Sequence, residues 1–381
     1  YNWGYMKILF TGGGTGGHFY PIIAVAEAIN ERVRERKLLE PQLYYAAPDP
    51  YDREMLVAQN ITFVATSAGK LRHYFSLLNV IDYIKTGWGV LKSIIRVFFL
   101  YPDVVFGTGG YASFPSLLAA RLFRIPVVIY ATDANPSRVN KWAASFAAKV
   151  AISFPEAAEY FPKDKTAFTG NPVRKSLLIP AREGAYEFLK LKHELPIILV
   201  LGGSQGAQSV NEAILAALPQ LVGKYQIVHQ TGADNFKDVS GRAGVILADN
   251  VNAVNYKPFG YLNDLAMRMS AGVASVVISR AGSGSIFEIA TWGIPSILIP
   301  IPEEVSADQS KNAFAYARSG AAVVIEQNNL TSGLLLSEID RIVTNDEQRH
   351  KMSAAARAFA RPDAAKAIAD ALLDIGLSHE Q

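Results

Sequence analysis

Short apolar runs that end in glycine alternate along this chain with stretches whose apolar residues recur every three or four positions. The first run, residues 8–10, breaks into Gly12-Gly-Gly-Thr-Gly-Gly-His18; Ile22, Val25, Ile29 and Val33 then mark one face of a helix. Pro21 is expected at the first helical position, where its missing N–H costs nothing. Further strands are expected at 42–47, 61–65, 104–106, 126–130 and 148–153, with helices at 115–123 and around Trp142. Residues 161–182 carry Pro162, Gly170, Pro172 and Pro180 with little periodicity, and the domain junction is placed there. The opening device then returns: the apolar run 197–201, the loop Gly202-Gly-Ser-Gln-Gly-Ala207, and a helix marked by Val210, Ile214, Leu218 and Leu221. Strands follow at 225–229, 245–247, 275–278, 296–299 and 322–325, then a terminal helix at 361–377. Such alternation predicts an α/β fold with parallel sheets and helices on both faces. The domains are expected at 6–165 and 175–355, with the helix 361–377 packed back on the first.

The 381 residues suit two domains, and half of them are hydrophobic, enough for two cores. A formal net charge of +3 gives little support for nucleic-acid binding. With no cysteine, disulfides and thiolate zinc sites are excluded, as suits a reducing compartment. No apolar stretch reaches the ~18–20 residues that span a bilayer. The first apolar run is short and ends in glycines, unlike a secretory leader, and residues 1–5, which precede Met6, are set aside.

Residues 70–100 stand apart. Large apolar side chains, among them Trp88, Phe98 and Phe99, are interspersed with Lys70, Arg72, Lys85, Lys92 and Arg96 against one acid, Asp82. Two amphipathic helices packed on the sheet would read this way; so would a basic, apolar surface lying on an anionic membrane.

The opening glycine loop fits an anion at a helix start, because bare backbone admits close approach and the first N–H groups are free. Gly12, Gly14 and Gly17 also satisfy the dinucleotide spacing, with Asp49 as a possible ribose partner. A P-loop is excluded, since no Gly-Lys-Ser/Thr follows any of these glycines. No Asp-x-Asp triplet is present to hold a divalent ion on a diphosphate, so helix N-termini and arginines such as Arg174 and Arg280 would carry that charge. His18 reads equally as a loop histidine bonded to a carbonyl and as a general base for a sugar hydroxyl. Glu288 is either a solvated helical glutamate or a carboxylate for a ribose. Asp308 and Gln309 are either loop polarity or readers of sugar hydroxyls.

Taken together, the motifs are far more specific. Gly13-Gly-Thr-Gly-Gly-His18, Gly109-Gly-Tyr111 with Ser113-Phe-Pro, Gly170-Asn-Pro-Val-Arg174 and Leu201-Gly-Gly-Ser-Gln-Gly-Ala207 occur in order. Arg280-Ala-Gly282 with Glu288, Gln309-x-x-Asn312-Ala and Gly320-Ala-Ala follow. This series resembles the MurG family of bacterial glycosyltransferases over nearly the whole chain. The resemblance implies a GT-B fold, two Rossmann-like domains facing a cleft, and inverting β-1,4 transfer of GlcNAc from UDP-GlcNAc to the MurNAc of an undecaprenyl-diphosphate-linked pentapeptide. It implies His18 as base, Gly109, Gly110 and Tyr111 on the acceptor diphosphate, and Thr15, Gly16 and Gly17 lining the cleft. On the donor it implies Arg174 and Ser204 at the diphosphate and the backbone of Leu262 at the uracil. Ser283, Gly284, Ser285 and Glu288 would lie along sugar and ribose, and Asp308 and Gln309 at the GlcNAc hydroxyls. It implies no metal or other cofactor, no nucleic acid, and a peripheral place on the cytoplasmic membrane face through residues 70–100.

Two departures stand out. The family has His-Glu-Gln-Asn where this chain has Tyr130-Ala-Thr-Asp133, which makes Asp133 a second candidate base. Asp308 replaces the first of a glutamine pair. A related transferase with another UDP-sugar or glycolipid acceptor, and a non-catalytic nucleotide-sugar-binding protein, are the alternative readings.

Overall fold

The computed structural model describes residues 5–67, 78–203, 206–302 and 309–379, with side chains in the helix Leu78–Leu100 described from Gly87 onward. Ser204, Asp308 and the first part of the segment 70–100 lie outside the described residues. The chain divides into two compact units, Tyr1–Arg174 with Arg361–Gln381, and Lys175–Ala360.

The first unit holds a seven-stranded sheet of β1 (Lys7–Thr11), β2 (Gln42–Ala47), β3 (Ile61–Ala65), β4 (Val104–Gly107), β5 (Val127–Ala131), β6 (Lys149–Ile152) and β7 (Thr166–Phe168). The order is β3-β2-β1-β4-β5-β6-β7 and every pairing is parallel. Its central strands are continuous apolar runs because helices cover both faces; β5 is buried throughout. On one face the helix Gly16–Glu35 buries Ile22, Val25, Ile29 and Val33 together with Ile368, Ala369, Leu372 and Leu373 of the terminal helix Ala364–His379. Ion pairs Arg32–Asp370 (2.7 Å) and Arg36–Asp374 (2.8 Å) flank that seam. On the other face, Val97 and Leu117 bring the helices Leu78–Leu100 and Phe114–Leu122 against Leu9, Val105 and Ile129.

One expectation changes here. The helix Gly16–Glu35 starts well before Pro21, so that proline lies inside it and cannot give the bond that the Gly17 carbonyl would take in an unbroken helix. Placing the start at Gly16 puts His18 in the first turn. Leu78–Leu100 is one continuous helix, and residues 70–77 of the stretch expected to form two helices lie outside the described residues. Its buried ridge is Gly89, Ser93 and Val97, spaced four apart, and is made of small residues; Trp88, Leu91, Ile95, Phe98 and Phe99 stay exposed. Among the described residues no helix is long and apolar enough to cross a membrane.

The second unit holds β8 (Ile197–Leu201), β9 (Gln226–Gln230), β10 (Tyr256–Phe259), β11 (Val276–Ser279), β12 (Ser296–Leu298) and β13 (Ala322–Val324) in the order β10-β9-β8-β11-β12-β13, again all parallel. The strand expected at 245–247 is absent. Those residues end the helix Phe236–Ile246, which buries Val239 and Ala243 four apart and leaves Val245 79% exposed. The sheet is completed instead by β10, whose Pro258 is tolerated on an edge strand.

Candidate functional site

In an open parallel sheet, ligands bind at the carboxyl ends of the two strands from which the order runs in opposite directions, because the loops leaving those strands part there. In the first unit these are β1 and β4. The loop after β1 leads through Thr15 into the helix Gly16–Glu35, and the loop after β4 is Thr108-Gly-Gly-Tyr111. The two are tied through His18. Its Nδ1 lies 3.0 Å from the Thr108 carbonyl, and the Thr108 hydroxyl donates to the His18 carbonyl at 3.0 Å. A carbonyl only accepts, so Nδ1 carries the proton and, in the neutral ring, Nε2 presents a lone pair. Burial lowers the pKa of His18; the charge of Asp133 and the bond to Thr108 oppose this without overcoming it. The ring is therefore neutral at pH 7, with the lone pair on Nε2.

The backbone beside Nε2 is glycine. Gly110 has φ +76°, and a Cβ there would sit 3.2 Å from His18 Nε2. At Gly109 a Cβ would meet the buried Asn140 carboxamide at 2.6 Å, and Asn140 is itself held by its Nδ2 donating to the Tyr130 carbonyl at 3.2 Å. Tyr111 lies along Gly14, whose added Cβ would be 3.2 Å from the ring. Asp133 is half-buried and accepts from the Thr132 hydroxyl at 2.7 Å. Thr15 and Gly17 are exposed at the helix start. The Arg174 guanidinium covers the Tyr20 ring at 4.5 Å, one turn past Gly16.

In the second unit the corresponding strands are β8 and β11. The glycine loop after β8 has Gly203 and Gly206 at positive φ. Gln230, at the end of β9, donates its Nε2 to the Gly203 carbonyl at 3.1 Å and accepts the Leu262 N–H on Oε1 at 3.1 Å, which fixes both loops to one side chain. After β11, Gly282 caps the helix Ser283–Trp292, which is anchored by Ile286, Phe287, Ile289 and Ala290. Among the described residues, a Cβ on Gly203, Gly282 or Gly284 would meet nothing within 4 Å. Ser285 and Glu288 are half-buried along the same helix. Gln309 begins the helix Gln309–Ala317, and its Oε1 accepts the Ile301 N–H at 3.2 Å. Among the described residues no three His, Cys, Asp or Glu side chains gather as a metal site.

Residues 8–152 match the glycosyltransferase family 28 N-terminal domain and residues 197–368 the family 28 C-terminal domain. A Legionella pneumophila (strain Paris) UDP-N-acetylglucosamine–N-acetylmuramyl-(pentapeptide) pyrophosphoryl-undecaprenol N-acetylglucosamine transferase is 37% identical over 91% of this chain and 92% of its own length. A protein of the same name, transferase 3, from Bacillus thuringiensis (strain Al Hakam) is 35% identical over 90% and 92%. The crystal structure of Acinetobacter baumannii MurG superposes with a TM-score of 0.72 at 26% identity, covering 97% of this chain and 99% of that one. The chain belongs to the MurG family.

Within this MurG-family chain, Thr15, Gly16, Gly17, His18, Gly109, Gly110, Tyr111, Asp133 and Arg174 belong to the first unit, and Leu262, Ser283, Gly284, Ser285, Glu288 and Gln309 to the second. Ser204 and Asp308 fall outside the described residues. Arg280 does not end on an open surface: both terminal nitrogens already meet protein acceptors. Sequence reading missed Thr108, which fixes the tautomer of His18, and Gln230, which joins the loops at Gly203 and Leu262. Thr108 stands inside a glycine loop that was recognised, and a hydroxyl between glycines was the available signal.

Proposed function

We infer that this chain transfers N-acetylglucosamine from UDP-N-acetylglucosamine to the 4-hydroxyl of MurNAc in undecaprenyl-pyrophosphoryl-MurNAc-pentapeptide, converting lipid I to lipid II and releasing UDP. The observation that carries the chemical step is the Thr108 carbonyl at His18 Nδ1, which leaves Nε2 as the proton acceptor. Nε2 removes the acceptor's hydroxyl proton. The oxygen attacks the anomeric carbon from the face opposite UDP, the bond to the diphosphate breaks, and its electron pair leaves with UDP, so the configuration inverts. We assign the acceptor diphosphate to Gly109, Gly110 and Tyr111, and the donor to the second unit. There the glycine loop and the start of Ser283–Trp292 offer N–H groups to the growing negative charge. The Leu262 N–H is held by Gln230, so its carbonyl is the group assigned to the uracil. Glu288 takes the ribose hydroxyls and Gln309 the sugar. The neighbouring Asp133 carboxylate raises the His18 basicity that burial lowers.

The acceptor's lipid stays in the bilayer, and the exposed face of Leu78–Leu100 is suited to lie there. Trp88, Phe98 and Phe99 stand beside the exposed Lys92, Arg96, Arg121 and Arg124, and the Phe98 and Phe123 rings meet at 5.7 Å, which extends the patch onto the neighbouring helix end. We therefore place the protein peripherally on the cytoplasmic membrane face.

A panel of UDP-sugars offered with the lipid-linked acceptor tests the reading. Product is expected from UDP-GlcNAc. Product only from another UDP-sugar would favour the related-transferase reading to which Asp133 and Asp308 point.

A further inference from the structure

Arg280 follows β11 at the edge where the second unit is assigned its nucleotide. Nη1 donates to the Ile299 carbonyl at 3.0 Å and the Pro300 carbonyl at 3.3 Å, both just past β12. Nη2 donates to the Ser209 hydroxyl at 2.7 Å and to Gln327 Oε1 at 2.8 Å. Ser209 sits in the first turn of the helix Gln208–Leu221 after the β8 glycine loop, and Gln327 lies past β13. The Ser209 hydroxyl also donates to Gln327 at 2.8 Å, closing a ring of three side chains. One planar guanidinium thus holds the segments leaving β8, β11, β12 and β13. A lysine ammonium, with three donors on one point, cannot reproduce that fork.

We propose that Arg280 is a positioning residue for the nucleotide sugar: it sets the helix start at Ser209, the start of Ser283–Trp292 and the exit from β12 at Ile299 and Pro300 against one another, and it does so without touching the diphosphate. This rests on the donor assignment above. Two consequences separate it from direct phosphate binding. Loss of the clamp weakens the uridine and the diphosphate parts of the ligand alike, because it loosens the segments that grip both. And Gln327, which faces Arg280, acts in the same way.

The test measures binding of UDP and of uridine to the full chain carrying Arg280→Lys, Ser209→Ala or Gln327→Leu, each checked for a cooperative unfolding transition. Arg280→Lys and Gln327→Leu are each expected to weaken both ligands by about tenfold, the equivalent of one lost charge-assisted hydrogen bond. The double variant Arg280→Lys with Gln327→Leu should be no weaker than Arg280→Lys alone, since both changes break one clamp. In turnover, the donor KM should rise while the KM of the lipid-linked acceptor holds. Weaker UDP with unchanged uridine, and a silent Gln327→Leu, would make Arg280 a phosphate ligand and overturn the proposal. Unchanged binding in all three variants would reduce the clamp to a fold contact. Should the parent chain bind no UDP, the donor assignment itself would fall.

Discussion

Gly110→Ala perturbs one point of the site and little else. The position has φ +76°, and the new methyl would lie 3.2 Å from His18 Nε2, 3.3 Å from its Cδ2 and 3.5 Å from the Gly13 carbonyl. The positive φ costs an alanine about 1–2 kcal/mol. For a unit of this size that lowers the unfolding midpoint by roughly 2–8 °C. The larger effect is on chemistry, because the methyl occupies the approach to the lone pair that Thr108 leaves exposed on Nε2. General-base catalysis is worth about 10²–10⁴ in rate, so kcat should fall at least a hundredfold, close to the loss from His18→Ala. UDP affinity should not change, as Gly110 belongs to the other unit. Steady-state turnover with lipid-linked acceptor, UDP binding and a thermal melt on the same preparation decide it. A folded Gly110→Ala enzyme with near-normal kcat would refute the assignment of Nε2 as the base.

Asp133→Asn removes a charge that raises the His18 pKa, so the acid limb of the kcat/KM profile, already expected below pH 6.5, should move lower still; an unmoved or rising limb would show that Asp133 does not act on His18. His229, buried between Tyr256 and Asn211 at 2.9 and 3.0 Å, has its pKa pushed down to about 3, so the fold keeps it neutral while the unfolded chain takes up a proton below pH 6.5. Stability from this site is complete above pH 6.5 and falls toward pH 3 by at most about 1.4 kcal/mol per pH unit; urea titrations at pH 7 and 5 should show a smaller drop for His229→Gln, and equal drops would exclude the histidine. Replacing Trp88, Phe98 and Phe99 with serine should reduce binding to anionic vesicles while UDP binding persists; unchanged partition would mean that these side chains do not meet lipid.

Much of the architecture can be read from pattern because a doubly covered parallel sheet imposes continuous apolar runs, as in Val127–Ala131 and Ile197–Leu201. The same rule misled at 245–247, where an apolar triplet closes a helix, and it hid Tyr256–Phe259, whose lysine and proline are admissible only on an edge. The helix Leu78–Leu100 carries apolar residues around most of its surface, so sequence alone could not reveal that Gly89, Ser93 and Val97 form its buried ridge. His18 and Glu288 stand out in the sequence because each lies on a helix that follows a glycine loop. The clamp at Arg280 was not: its partners Ser209, Ile299 and Gln327 are distant in sequence, and only the sheet order brings them together.

With the nucleotide assigned to the second unit and the base to the first, amide hydrogen exchange with and without UDP tests that division most directly. Protection is predicted at residues 202–207, around Leu262 and along 283–288, with the loop at 12–17 unchanged. Protection confined to 12–17 would contradict it.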